Sequence, residues 1–153
     1  SSFMGENPLE KPNNIFPLII NAAYEKNKLK VFCKDWPTHD GTCIRDYIHI
    51  EDLAEGHIAA LETIFLKQIG YLNINLGTGK GTSILELITM FEKVNCVSIE
   101  YEFSERRSGD IPIIVADNQK AMDILKWIPK FNLNDMCRHG WNWKCKNLKG
   151  YND

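Results

Sequence analysis

Residues 45–65 read RDYIHIEDLAEGHIAALETIF, and the spacing of their apolar side chains changes in the middle. Residues 45–50 alternate between apolar and polar, which is the period of a β-strand. From Leu53 onwards the apolar residues recur at helical spacing, and Glu51 and Asp52 stand where a helix N-terminus favours negative charge. The stretch therefore predicts a strand that leads directly into an amphipathic helix.

The same alternation of strand and helix continues on both sides of this stretch. The elements predicted before it are a helix over 14–27 and a strand over 29–33. Those predicted after it are a strand over 71–77, a glycine turn, a helix that begins with a Ser83–Glu86 capping box, a strand over 98–103, and helices over about 118–127 and 133–146. This order, with no internal repeat, places the chain in the α/β class.

The composition excludes several classes of protein. The 153 residues carry a net charge of −2, with 44% hydrophobic and 25% charged residues, which is typical of a folded domain and excludes a disordered chain. No basic excess is available to neutralise phosphates, so we predict no nucleic-acid or membrane partner. The longest apolar run, residues 15–20, is interrupted by Pro17 and is too short to span a membrane. The polar first residues do not form a signal peptide, and we predict a cytoplasmic protein.

Cysteine and histidine usage points to neither disulfides nor a metal. The five cysteines include no CxxC pair and are odd in number, so we predict reduced, structural thiols at 33, 43, 96, 137 and 145. The four histidines are scattered along the chain, and no third ligand stands near His49 and His57. The sequence therefore predicts no metal site.

Three catalytic or nucleotide-binding motifs fail on their spacing. The glycine turn at 77–83 has Ile74 where a P-loop needs its first glycine, and Thr82 where a dinucleotide fingerprint needs its third. Tyr24 and Lys28 have the spacing of a dehydrogenase proton-transfer pair, but no nucleotide-binding unit precedes them. The sequence also lacks a GxSxG nucleophile elbow.

Candidate binding residues concentrate in loops and at strand ends. Arg106 and Arg107 lie in one turn, and planar guanidinium groups suit bidentate recognition of phosphate. Asp110 follows them and can accept hydrogen bonds from sugar hydroxyls, while Arg45 begins a predicted strand. The asparagines at 13–14 stand at a helix N-terminus, which is a natural anion site. Together these residues predict binding of a phosphorylated sugar or nucleotide; the alternative is a solvated arginine face.

Six motifs occur in an order that resembles a known family. They are PNNIFP (12–17), VF (31–32), DGTCIRDYIHIEDLA (40–54), NLGTG (75–79), RRSGD (106–110), and WNW with a later GY (141–143 and 150–151). From about residue 5 to residue 151, the chain is similar to the C-terminal half of the UDP-glucose 4-epimerases. These enzymes are extended short-chain dehydrogenases/reductases. The first and third motifs are the most specific for this branch.

The resemblance implies a set of substrate-binding residues and no catalytic or metal-binding residue in this chain. The eight are Asn14 and the backbone of Ile15 at the UDP diphosphate, the backbone of Lys30 and Phe32 at the uracil, Arg45 and Arg107 at the diphosphate, Asp110 at the ribose, and Ile114 near the hexose. Of the two adjacent arginines, Arg106 matches the family's diphosphate-binding position less well than Arg107 does. Isoleucine at 114 is intermediate in size among family members, so use of UDP-N-acetylhexosamines stays open. Cys33 and Cys43 stand where many members have glycine.

The resemblance also implies a reaction, in which bound NAD takes a hydride from C4 of UDP-glucose or UDP-galactose and returns it to the other face of a 4-keto intermediate. The family's NAD fingerprint and catalytic tyrosine precede the region that this chain resembles. We therefore expect residues 1–153 to form the C-terminal substrate-binding part, with the N-terminal Rossmann half absent. Residues 45–67 are then expected to pack on that missing NAD-binding domain. We also expect the chain to be inactive alone and the full-length protein to be a homodimer.

Two other functions remain open from the sequence. One is a different nucleotide-sugar enzyme of the same superfamily, a dehydratase or a uronate epimerase. The other is a stand-alone, non-catalytic UDP-sugar-binding module. If the faces that pack on the NAD-binding domain are uncovered, we expect the chain to self-associate more than its composition suggests.

Overall fold

The computed structural model describes residues 4–7, 12–67 and 70–151. Its elements in chain order are α1 (Ile15–Glu25), β1 (Leu29–Phe32), β2 (Ile44–Arg45), α2 (Ile50–Lys67), β3 (Thr82–Ser83), α3 (Ile84–Asn95), β4 (Tyr101–Ser104), β5 (Ile113–Ile114), a π-helical turn (Ala121–Leu125) and α4 (Leu133–Lys146). The predicted domain at 1–153 includes eleven residues outside the described ranges, at 1–3, 8–11, 68–69 and 152–153. No helix of the described part is long and apolar enough to cross a membrane.

Two small sheets organise the strands. β1 and β4 pair in parallel, with Leu29 opposite Tyr101 and Phe32 opposite Ser104. In the second sheet β2 lies in the middle, antiparallel to β3 and parallel to β5. The chain passes through helices between β1 and β4, as a parallel pair requires. The predicted α/β class is confirmed by this arrangement.

The main core lies where α1, α3 and α4 pack around β1. Apolar residues of α1 recur at helical spacing, and Pro17 is tolerated because amides in the first turn have no intrahelical acceptor. The residues buried most completely in this core are Ile19, Val31, Leu87, Ile88, Phe91 and Cys137. A second, smaller cluster joins the π-helical turn to the inner face of α2 through Ala121, Leu125 and Trp127.

The predicted capping box of α3 is confirmed. Ser83 Oγ accepts the N–H of Glu86 at 3.1 Å, and a carboxylate oxygen of Glu86 accepts the N–H of Ser83 at 2.8 Å. The helices predicted over 14–27 and 133–146 and the strand over 29–33 are also present, with ends within two residues of the prediction. Local sequence signals therefore place most helices correctly.

The strand predictions are less accurate than the helix predictions. The strand predicted over 45–50 reduces to Ile44–Arg45, because the carboxylate of Asp46 accepts the N–H groups of Thr78, Gly79 and Ala116 and takes the chain out of the ladder. The strand predicted over 98–103 pairs only from residue 101 to 104, and β5 was not predicted.

Two further elements differ from the sequence-based expectation. Residues 71–77 alternate in burial with period two, but no described strand pairs with them, so they form no ladder. The helix predicted over 118–127 shortens to the π-helical turn, which ends where Lys126 adopts a left-handed φ of 55°. That turn places Trp127 in the second cluster, where its indole N–H donates to the carbonyl of Asp52 at 3.1 Å.

Candidate functional site

A cavity of about 1150 Å³ opens beside the N-terminus of α1. Its walls come from the ends of β1 and β2, the loop after β4, one face of α4, and the segments at 4–7 and 147–151. Seven of the eight residues predicted to bind substrate line it, which are Asn14, Ile15, Lys30, Phe32, Arg45, Arg107 and Asp110. Residues from separate parts of the chain are therefore brought together at one cavity.

The N-terminus of α1 offers hydrogen-bond donors to the cavity. Asn14 is the N-cap residue, but its side chain makes no capping hydrogen bond. The amides of Ile15 and Phe16 belong to the first turn, where no intrahelical acceptor is available, and Pro17 has no N–H. These donors and the positive end of the helix dipole favour an anion at this position.

Arg45 is held at the end of β2, with its guanidinium only partly engaged. One terminal nitrogen donates to the carbonyl of Ile44 at 2.9 Å, and the other lies 3.8 Å from a carboxylate oxygen of Asp110. Both side chains are partly exposed, so this long ion pair is weak. Donors of Arg45 and acceptors of Asp110 thus remain available to a ligand.

Arg107 reaches the same cavity from the loop after β4. Its guanidinium carbon lies 3.9 Å from the centroid of the Phe32 ring. Phe32 ends β1 and Arg107 follows β4, so the parallel pairing of the two strands brings both residues to one end of the sheet. The ring fixes the plane of the guanidinium and leaves its edge donors free for phosphate oxygens.

The backbone of β1 faces the cavity at alternate residues. The amide of Leu29 donates to the carbonyl of Glu100, just before β4, and the amide of Cys33 donates to that of Ser104, each at 2.8 Å. Because successive residues of a parallel strand point their backbone groups to opposite sides, those of Lys30 and Phe32 point away from β4. Both residues line the cavity. Their unused N–H and C=O groups suit the edge of a planar base.

Arg106 does not line the cavity. Its guanidinium stacks over Trp36 at 3.9 Å and bonds to Asp35, through Nε at 3.1 Å to the carboxylate and Nη2 at 3.0 Å to the carbonyl. The hydrogen bond to Arg106 is the main cause that lowers the pKa of Asp35, and the same bond raises the pKa of Arg106. The two neighbouring arginines therefore serve separate environments.

Ile114 also lies outside the cavity lining. It belongs to β5, opposite Arg45 in the β2–β5 register, and its side chain is half exposed. The structure thus places Ile114 one strand away from the cavity, next to a residue that does line it.

Tyr47 lines the cavity but was not among the residues predicted from the sequence. Its hydroxyl is buried and has no hydrogen-bond partner among the described residues. Burial raises the pKa of Tyr47 to about 12, so the phenol stays neutral and able to donate. The available signal was its spacing, because a residue two places after Arg45 on an extended chain faces the same side.

A histidine pair, the buried His49 and the partly buried His139, forms another part of the wall. His49 Nδ1 accepts the N–H of Glu51 at 3.1 Å, so its proton lies on Nε2, which is 3.1 Å from Nδ1 of His139. The ring of His49 stacks on Phe131, with centroids 4.3 Å apart. Burial lowers the pKa of both histidines, which favours the neutral forms.

The cysteines are free thiols, and their burial divides them into two groups. Cys33, Cys43 and Cys137 are buried, as structural thiols should be, whereas Cys96 and Cys145 are exposed. Cys43 lines the cavity, and burial is the largest cause that raises its pKa, so it contributes a neutral wall there. Within the described ranges, no group of three or more His, Cys, Asp or Glu side chains could hold a metal ion.

The structure also excludes two of the motifs that fail on their spacing, the glycine turn as a phosphate site and Tyr24–Lys28 as a proton-transfer pair. The amides of Thr78 and Gly79 in the glycine turn each donate to the Asp46 carboxylate at 2.9 Å, so they are not free to hold a phosphate. α1 ends at Glu25, and Lys28 lies beyond it, 3.8 Å from a carboxylate oxygen of Glu102. Tyr24 and Lys28 therefore do not share a helix face.

The sequence model of the NAD dependent epimerase/dehydratase family matches residues 1–77, and the chain belongs to this family. The chain is 46% identical over 152 residues to UDP-glucose 4-epimerase 4 of Oryza sativa subsp. japonica, a match that covers 99% of this chain and 41% of the rice protein. It is also 46% identical over 152 residues to the UDP-glucose 4-epimerase of Bacillus subtilis, covering 99% of this chain and 44% of that protein.

A solved structure shows the same fold. The crystal structure of UDP-glucose-4-epimerase from Stenotrophomonas maltophila, with bound NAD and formylated UDP-arabinopyranose, matches with a TM-score of 0.92 and 39% identity. The match covers 97% of this chain and 44% of that chain. The predicted fold class, an α/β part of an extended short-chain dehydrogenase/reductase, is confirmed. This chain spans less than half the length of each of these three proteins.

The glycine turn at 77–79 does not fit the diphosphate of NAD, the cofactor named in the family's description. Its diphosphate needs free backbone amides at a glycine-rich turn, and Asp46 occupies the amides of the 77–79 turn.

Proposed function

We propose that this chain is the UDP-sugar-binding part of a UDP-hexose 4-epimerase that interconverts UDP-glucose and UDP-galactose. The observation that carries the proposal is the convergence of Asn14, Arg45, Arg107 and Asp110 on one cavity. Membership of the epimerase/dehydratase family and identity of 46% to two UDP-glucose 4-epimerases support it.

The diphosphate would lie between the N-terminus of α1 and the two cavity arginines. Arg45 approaches from β2 and Arg107 from the loop after β4, so each can hold one phosphate, and the first-turn amides can hold the oxygens between them. The buried hydroxyl of Tyr47 has no partner among the described residues, and a phosphate oxygen would supply one. A site of this kind holds the nucleotide firmly by charge and geometry.

The nucleoside would extend along the open edge of β1. The backbone groups of Lys30 and Phe32 face the cavity and can pair with the uracil edge. Asp110 beside Arg45 can accept hydrogen bonds from the ribose hydroxyls. Under this proposal Ile114 approaches the hexose only in the complete protein, and use of UDP-N-acetylhexosamines depends on the space left there.

The remaining half of the active site would come from an NAD-binding domain outside these residues. The outer face of α2 supports this role, because Ile58, Leu61, Phe65 and Leu66 are exposed, with Leu66 at 83%. Tyr71, at the start of the unpaired extended stretch 71–77, is equally uncovered at 84%. We propose that an NAD-binding domain covers residues 45–67 and pairs with 71–77, that the chain alone is inactive, and that the whole protein is a cytoplasmic homodimer.

Calorimetric titration with UDP and UMP tests the binding role. We expect UDP to bind at least about tenfold more tightly than UMP, because UMP lacks the phosphate that the second arginine would hold. Failure to bind UDP, or equal affinity for UDP and UMP, would contradict the proposal. Preference for UDP-glucuronic acid over UDP-glucose would favour a uronate epimerase instead.

The adjacent arginines provide a matched control for this titration. Arg107→Ala removes a guanidinium that lines the cavity, so we expect UDP affinity to fall by roughly 10- to 100-fold. Arg106→Ala removes one that stacks on Trp36 away from the cavity, so its UDP affinity should stay within about twofold of wild type. Equal loss in both variants would mean that the arginines act through general charge rather than through this site.

A further inference from the structure

One tyrosine hydroxyl joins the two segments that form the outer wall of the cavity. Tyr151 Oη accepts the N–H of Gly5 and donates to its carbonyl, each at 3.0 Å. The two residues are 146 positions apart in sequence. Because the hydroxyl engages both backbone groups of Gly5, it restrains the position of residues 4–7 over the cavity that these residues line.

Close packing requires glycine at two positions of this contact, at Gly5 itself and at Gly150, which precedes Tyr151. A Cβ on Gly5 would lie 2.1 Å from Cδ2 of Trp143, and one on Gly150 would lie 2.4 Å from the side chain of Asn7. Gly150 also has a φ of +82°, which favours glycine. Trp143 is buried, and its ring centroid lies 5.2 Å from that of Tyr151. We call these five residues, Gly5, Asn7, Trp143, Gly150 and Tyr151, the clasp.

α4 connects the clasp to the N-terminus of α1. Trp143 lies on α4, and Gly140, three residues earlier, approaches α1 so closely that a Cβ there would be 2.7 Å from Cε1 of Phe16. Phe16 belongs to the first turn of α1, which follows Asn14. The backbone of α4 is thus in tight contact with the turn where the diphosphate is proposed to bind.

We infer that the clasp positions the wall of the nucleotide-sugar cavity, with Tyr151 as its positioning residue. This inference rests on the proposed function. The Tyr151 side chain is 51% exposed, so its hydroxyl contributes little to the main core. Its two hydrogen bonds instead order residues 4–7 before ligand arrives, which removes that ordering cost from the binding step.

The first test removes the hydroxyl and keeps the ring. In Tyr151→Phe the aromatic contact with Trp143 remains, but both bonds to Gly5 are lost. We expect the Kd for UDP, measured by calorimetry on the complete chain, to rise about three- to tenfold. Hydrogen exchange should become faster at residues 4–7. Tyr101→Phe is the matched control, because Tyr101 is a comparably exposed tyrosine on β4 that does not line the cavity, and its Kd should not change.

A second variant disturbs the clasp from the opposite side. Gly5→Ala places a Cβ against the Trp143 ring, so it should weaken UDP binding without loss of the cooperative melting transition. Both changes open the same contact, so their effects should not add. The UDP affinity of the double variant should therefore equal that of whichever single variant binds UDP less tightly. If each substitution instead destabilised the fold independently, the two losses of UDP affinity would add.

The outcomes separate the two proposals. Wild-type affinity for UDP in Tyr151→Phe, or additive losses in the double variant, would overturn the clasp inference and leave the proposed function intact. Absence of UDP binding in the wild-type protein would overturn the proposed function and the clasp inference with it. A shared, non-additive loss of affinity supports the clasp as a positioning device.

Discussion

At the scale of single residues, the direction of each polar side chain decides whether it can bind a ligand in the cavity. Arg106 and Arg107 each stack on an aromatic ring at 3.9 Å, but only Arg107 faces the cavity. The difference arises because Phe32 ends β1, beside the cavity, whereas Trp36 lies further along the next loop. Neighbouring residues of the same type can therefore have separate roles.

Tyr47 gives a prediction at this scale. Its buried hydroxyl lacks a partner in the described part of the chain, and an unpaired buried polar group lowers stability. Tyr47→Phe should therefore raise the free energy of unfolding by about 1 kcal/mol and yet weaken UDP binding about fivefold or more. Urea denaturation and calorimetric titration measure the two effects. A variant that is less stable, or one that binds UDP normally, would contradict the role proposed for this hydroxyl.

Sequence reasoning reached the site residues unevenly. The arginines and Asp110 could be named because their chemistry suits phosphate and sugar, but which member of the arginine pair faces the cavity depends on the pairing of β1 with β4. Tyr47 was missed because burial of its hydroxyl depends on tertiary packing. Residue type thus predicted candidates, and the topology decides which of them line the cavity.

At the scale of elements, local signals predict most of the helices but few of the strands. The capping box at Ser83 and the helical spacing of α1 are local, and both predictions are confirmed. Residues 71–77 have the alternation of a strand, but a strand also needs a neighbour, and none of the described strands pairs with them. Asp46 shortens β2 through hydrogen bonds to distant amides, which no local pattern reveals.

The start of α2 gives a prediction for pH dependence. His49 accepts the Glu51 N–H through Nδ1, so a proton on Nδ1 would break this bond. Burial holds the pKa of His49 below its usual 6.5, despite the opposing charges of Glu51, Asp52 and Asp135. The unfolded chain therefore binds this proton more readily, and the stability that neutral His49 contributes is present above pH 6.5 and is lost as the pH falls below it.

Urea denaturation at pH 7.5 and pH 5.5 measures this dependence. We expect lower stability at pH 5.5, and a smaller difference between the two pH values in His49→Gln, which cannot take up the proton. His57→Gln is a suitable control because His57 is exposed on α2. Equal stability at both pH values would refute this role of His49, as would an unchanged pH dependence in His49→Gln.

At the scale of the whole molecule, one side is well packed and the other is uncovered. The core around β1 buries large apolar side chains completely, whereas the outer face of α2 exposes Phe65 at 78% and Leu66 at 83%. Contiguous exposed apolar residues of this size mark an interaction surface. Composition alone could not separate these two sides, because it counts buried and exposed apolar residues alike.

The uncovered face predicts self-association of the isolated chain. Leu66→Glu places a charge at the C-terminal end of that face, on its most exposed side chain, so it should raise the monomer fraction in sedimentation velocity and leave UDP affinity unchanged. Ile128→Glu, at an exposed position outside α2, is the control and should leave self-association as it is in wild type. A wild-type chain that is already monodisperse and monomeric would contradict this prediction.

The central claim is that the cavity beside α1 is a UDP site, and a crystal structure of the chain with UDP tests it most directly. We expect the diphosphate between Arg45 and Arg107, with the Tyr47 hydroxyl and the first-turn amides of α1 within hydrogen-bond distance of its oxygens. The uracil should lie along the backbone of Lys30 and Phe32. UDP bound elsewhere, or in this cavity without contact to either arginine, would contradict the account.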